Sequence, residues 1–145
     1  MSLEGVYDPD NIFARIVRRE LPSAIIFEDD EVLAFMDAFP QSKGHCLVIS
    51  KTSRARNLLE ADLGTLTQLM AAVQKLTRAV RDALEPDGII VTQFNGAPAG
   101  QTIFHLHFHI IPRWVDQPLA GHGSAGMADS TQLQDLAQLI ATKLD

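Results

Sequence analysis

Three histidines alternate with large apolar residues in the run His105-Leu106-His107-Phe108-His109-Ile110-Ile111. A side-chain period of two belongs to a β-strand. It sets His105, His107 and His109 on one face and Leu106, Phe108 and Ile110 on the other. A covered imidazole needs hydrogen-bond partners, so three in a row are poorly explained by packing. Two chemistries suit them. Neutral imidazole is a common metal ligand. It can also be a nucleophile, with neighbouring imidazoles that bind or orient the reacting group. The non-chemical alternatives are a row of surface histidines on an edge strand, or core histidines with their hydrogen bonds satisfied.

The flanking residues weigh between these readings. Zinc-bound histidines are commonly oriented by carboxylates, yet residues 95–113 contain no Asp or Glu. Side chains at i, i+2 and i+4 of one strand also fan out in a row, which suits two ligands to one ion better than three. Just before the strand lies Asn95-Gly96-Ala97-Pro98-Ala99-Gly100-Gln101-Thr102. Glycines here let main-chain N–H groups approach an anion. Asn95, Gln101 and Thr102 add polar side chains of the kind that contact phosphate. The pattern therefore favours phosphoryl or nucleotidyl transfer through histidine over a metal site.

The elements that must position these residues are readable in outline. A short helix is expected over 9–20, from Ile12, Phe13, Ile16 and Val17 at helical spacing, capped by Asp10 or Asn11. Strands are expected over 24–28 and 31–37, joined at Asp29-Asp30, with Leu33, Phe35 and Asp37 on one face. A third strand over 45–50 places His45, Leu47 and Ile49 together. The basic segment 51–56 reads as a solvated loop. A long helix is expected over 61–84, capped by Asp62, with Leu66, Met70, Val73, Leu76, Val80 and Leu84 as its apolar stripe. Strands over 89–94 and 105–112 follow. A Gly-rich loop, expected to be mobile, covers 115–129 and includes His122. A last helix, capped by Ser130, carries Leu133, Leu136, Ala137, Ile140 and Leu144 on one face.

Composition bounds the class. The chain has 145 residues, 46% hydrophobic and 21% charged, within the range of one ordinary globular domain. We expect a single domain over 1–145, with its core at about 10–114 and the loop and last helix after it. The net charge of −6 disfavours polymeric nucleic acid as a partner, although one local pocket can still take a small nucleotide. Cys46 is the single cysteine, in an apolar run, and reads as a small buried residue. No apolar run approaches the roughly 18 residues of a membrane span. With no signal-peptide pattern at the N-terminus, a cytoplasmic location is expected.

The triad strand resembles the signature of the histidine triad (HIT) family, His-φ-His-φ-His-φ-φ, where φ is apolar. The similarity continues through Gly100-Gln101-Thr102 and Pro112-Arg113. It reappears in Ile12-Phe13, Glu28-Asp29-Asp30, Leu33-Ala34-Phe35, Asp37, Pro40-Gln41 and Gly44-His45. The resemblance implies an α+β fold: a five-stranded antiparallel sheet with one long and two shorter helices, paired as a homodimer into a ten-stranded sheet. It implies hydrolysis of nucleoside 5′-phosphate conjugates, phosphoramidates or related compounds, with a purine nucleotide as substrate. His107 matches the nucleophile that forms a nucleotidyl-histidine, and His109 the residue at the α-phosphate. His105 and His45 match supporting histidines. Asp37 matches the ribose ligand, and Leu33 and Phe35 the base pocket. Asn95, Gln101 and Thr102 match the phosphate side. The alternatives are a dinucleoside polyphosphate hydrolase, a nucleotide-binding protein with little turnover and a metal-dependent hydrolase. Two departures stand out. Where some members carry Cys-x-x-Cys of a structural zinc site, this chain has Asn11-Ile12-Phe13-Ala14, so no zinc is expected; no other metal and no cofactor is expected either. Where many members have a polar residue before the Asn-Gly of the loop, this chain has Phe94. Gln93, on the opposite face of the strand, is a poor substitute.

Overall fold

The computed structural model describes residues 2–119, 121 and 126–144. In chain order the elements are α1 (Ile12–Val17), β1 (Ile25–Glu28), β2 (Val32–Met36), β3 (Cys46–Ser50), α2 (Leu63–Leu84), β4 (Gly88–Thr92), β5 (His107–Arg113) and α3 (Ser130–Ala141). The five strands form one antiparallel sheet in the order β1-β2-β3-β5-β4. This is the expected α+β architecture. No helix among the described residues is long and apolar enough to cross a membrane.

Local chemistry sets the boundaries. The Asn11 side chain accepts from the Ala14 N–H and starts α1. The helix stops sooner than expected, well before Pro22, at Arg18 and at Arg19, whose φ of 63° is left-handed. The Asp29 carboxylate accepts from the N–H groups of Glu31 and Val32, fixing the β1–β2 turn. Asp62 caps α2 through the Thr65 N–H, as anticipated. α3 is capped by Asp129, which accepts from the Gln132 N–H, and not by Ser130, its first helical residue.

Register puts the chemistry on one face. Ile49 lies opposite His107 and Leu47 opposite His109 in the β3–β5 ladder, while Leu33 and Phe35 oppose Ile49 and Leu47 in β2–β3. Phe13 and Ile16 of α1 pack on this face. The other face carries Val48, Phe108 and Ile110, buried under α2, while α3 covers β1 and β2. Each such side chain contributes about 1.5–3 kcal/mol on burial. The buried stripe of α2 is Leu69, Ala72, Val73, Leu76, Ala79 and Val80, whereas Met70 is half exposed. The stripe is thus turned relative to the expected one. Its alanines let the helix lie close to the sheet, which counting only large side chains overlooks.

Gly44 joins the β2–β3 connection to His45. Its φ is +90°, strained for any other residue, and a Cβ there would force the Leu84 Cδ1 methyl to move. The basic segment is less solvated than expected. Lys51 pairs with Glu28, and Arg56 is buried with its guanidinium 4.8 Å from the Phe104 ring centre.

Candidate active site

A cleft of about 410 Å³ opens between α1, the sheet and the residues leading into α3. Phe13, Phe35, Asp37, Phe94, His107 and His109 are among the residues on its wall. Its size suits a small organic ligand, and its mixture of apolar surface and a few polar groups is typical of such sites.

The backbone fixes the proton positions on the histidines. His107 Nδ1 lies 2.7 Å from the His105 carbonyl oxygen. A carbonyl can only accept, so Nδ1 carries the proton and the lone pair is on Nε2. The Gln41 N–H donates to His45 Nδ1 at 3.0 Å. His45 Nε2 therefore carries the proton, and it lies 2.9 Å from His109 Nδ1 and 3.4 Å from Asp37 Oδ2. With Nδ1 accepting from His45, His109 holds its own proton on Nε2. The rings of His107 and His109 are 4.9 Å apart. One imidazole nitrogen able to attack thus sits beside an imidazole N–H able to donate.

His105 lies two residues before β5, which begins at His107 and so later than the strand expected from 105. Its Nε2 lies 2.9 Å from the Ser50 carbonyl oxygen and so donates to it. Burial lowers its pKa below the ordinary histidine value, partly opposed by the bond to Ser50. The Cys46 thiol on the opposite face is pushed up by burial and by the nearby Asp37 charge, which makes it inert as a nucleophile.

The other sequence-predicted residues divide between the wall and its support. Phe35, Asp37 and Thr102 reach the cleft. Asp37 also accepts from the Phe39 N–H, which anchors its carboxylate at the β2–β3 turn. Leu33 is fully buried beneath this layer. Gln101 is buried and holds the loop, accepting from the Gly96 N–H and donating to the carbonyls of Arg56 and Ile103. Asn95 accepts from the Leu58 N–H and from Gln93. Gln93 is thereby tied to the loop. Phe94 lies on the wall, its ring centre 5.4 Å from that of His109. Of the expected mobile loop, residues 120 and 122–125, His122 among them, lie outside the described residues; Met127 and Ala128 at its end line the cleft. Phe13, whose ring meets His107 edge-on at 4.8 Å, was visible in the sequence only as part of an apolar helix face.

Asp37, His45 and His109 offer metal-ligand atoms within 4.8 Å of one another. The fit is poor on chemical grounds. Because His45 Nδ1 takes the Gln41 N–H, binding a metal through Nε2 would require an imidazolate. At the position of the family's Cys-x-x-Cys, Asn11 is engaged in capping α1, and Ala14 has no ligand atom.

Residues 18–115 match the HIT domain. The chain belongs to the histidine triad family. It is 46% identical over 131 residues to Protein hit of Bacillus subtilis, covering 90% of each chain. The adenylylsulfatase HINT3 of Arabidopsis thaliana is 34% identical over 130 residues, 86% of this chain and 66% of that protein. A HIT-like protein of Bartonella henselae, described as involved in cell-cycle regulation, superimposes with a TM-score of 0.87 at 47% identity. That match covers 95% of this chain and 99% of the other. The five-stranded sheet and three helices are thus the HIT fold.

Proposed function

We propose that this HIT protein is a nucleotidyl hydrolase or transferase that cleaves nucleoside 5′-phosphate conjugates, with phosphoramidates as its preferred class. The observation that carries the reading is the pair of fixed tautomers, an Nε2 lone pair on His107 beside an Nε2–H on His109. His107 Nε2 attacks the α-phosphorus, the bond to the leaving group breaks, and a nucleotidyl-histidine forms. Water then attacks that phosphorus and releases the nucleoside monophosphate, restoring His107. Splitting the displacement lowers each barrier. The N–H of His109 stabilises negative charge on the phosphoryl oxygens, and Asp37 takes the ribose hydroxyls. The apolar wall, including Phe35 and Phe13, receives a purine base. Thr102 stands at the leaving-group side. The relative named as an adenylylsulfatase supports a reaction at a nucleotide α-phosphorus.

Release of AMP from an adenosine phosphoramidate in EDTA tests this reading, run beside adenylylsulfate and a diadenosine polyphosphate. Metal-independent turnover with the amine leaving group preferred is the expected result. Preference for the polyphosphate would move the assignment to that hydrolase class. The ring of Phe94 against His109 favours one further reading, nucleotide binding with little turnover, and tight binding without product from any of the three would establish it. A homodimer joined along the β4 edge, where Val91 is exposed, accompanies the proposal; a monomer mass by light scattering would remove it.

A further inference from the structure

Tyr7 lies outside the segment that matches the HIT domain, and its hydroxyl is 2.8 Å from His105 Nδ1. His105 Nε2 donates to Ser50, so Nδ1 of the neutral ring is an acceptor and the Tyr7 O–H is the donor. The two nitrogens of His105 are therefore held from opposite sides, by the N-terminal segment and by the end of β3.

This clamp matters because of where His105 stands. The β3–β5 ladder reaches only to the pair Ile49 and His107, so strand pairing does not hold the peptide unit between His105 and Leu106. That unit makes two bonds. Its N–H donates to the Ala55 carbonyl, and its carbonyl accepts from His107 Nδ1. The His105 side chain is a further anchor of the group that sets the His107 tautomer, beside the Leu106 side chain, which is fully buried in the core. The N-terminal segment is itself held in place. The Asn57 side chain donates to the Leu3 carbonyl, and the Arg54 guanidinium lies 5.5 Å from the Tyr7 ring centre. Phe13 packs edge-on against both His105 and His107. Tyr7 is not on the cleft wall.

We propose that Tyr7 is a positioning residue for the histidine nucleophile: its hydroxyl fixes the His105 ring, and through the His105 carbonyl the orientation and tautomer of His107. The inference rests on the reading of His107 as the nucleophile. Removing the hydroxyl leaves a buried acceptor without its donor and loosens the peptide that orients the attacking nitrogen.

The test is Tyr7→Phe in the full chain, read by steady-state kinetics and by nitrogen-15 resonances of the imidazoles. The expected result is a fall in kcat of about tenfold with KM within about twofold, since the hydroxyl does not reach the cleft. The His105 Nδ1 resonance moves to the position of an unbonded acceptor, and the proton on His107 Nδ1 exchanges faster with water. Tyr7 is the single tyrosine, so biosynthetic fluorotyrosine, with fluorine on the ring, makes this one phenol more acidic while keeping its hydroxyl. The His105 Nδ1 resonance then tracks the acidity of the phenol. An unchanged kcat together with unchanged imidazole resonances in both proteins would overturn the proposal. Absence of turnover by the parent protein would count against the nucleophile reading alone, because the resonances report on the clamp whether or not substrate is cleaved.

Discussion

His107→Ala is expected to lose at least ~10⁴-fold in turnover of the adenosine phosphoramidate, because no other described group can take its place. The attacking atom is defined by a backbone carbonyl, which holds the proton on Nδ1 and the lone pair on Nε2. His109 cannot substitute, since its Nδ1 is engaged with His45 and its Nε2 carries the proton. His105 cannot either. Its two nitrogens are held by Ser50 and Tyr7. The variant should still bind the nucleotide, because the apolar wall and Asp37 are untouched. Measured by AMP release, with a binding isotherm for AMP and a thermal melt as controls, the expected pattern is lost turnover, near-parental affinity and a folded protein. Turnover within tenfold of the parent would remove His107 from the nucleophile role and return attention to direct attack by water.

The site was readable from the sequence to the extent that it depends on alternation. Period two placed His107 and His109 on one face of β5 and Phe108 and Ile110 on the other, and the ladder keeps that division. The shared face of His45, Leu47 and Ile49 followed by the same rule. Contacts between residues far apart in the chain have no such pattern. Gln101 and Asn95 read as phosphate-side residues from their type and their place in a Gly-rich loop, and the hydrogen bonds by which their side chains hold that loop have no such pattern. A run of cations reads as solvated until one knows that Phe104 lies beneath Arg56. Tyr7 carries no motif at all, and its bond to His105 spans 98 residues of sequence. The same limit applies to α2. Small residues decide how closely a helix approaches a sheet, so Ala72 and Ala79 are buried while Met70 is turned outward.

The relay from Gln41 through His45 to His109 leads to the second large effect. A backbone N–H has no choice but to donate, so the Gln41 amide fixes the His45 tautomer, and His45 in turn fixes that of His109. The result is a donor on the cleft wall that needs no reorganisation when charge develops on the phosphorus oxygens. His109→Ala should therefore reduce kcat by roughly 10²–10³-fold, the usual cost of losing one such donor, with KM changed little. His109→Gln separates this role from packing. Its amide can present an N–H from the same position, so it should recover part of the lost rate, whereas a purely space-filling role would make the two variants alike. Phe94 sharpens the expectation, because its ring borders His109 where a second polar contact would otherwise stand. With an apolar neighbour, more of the charge stabilisation falls on His109. A KM that rises while kcat holds, or equal losses in the Ala and Gln variants, would show that His109 binds the ground state or supports the wall, and does not act on the transition state.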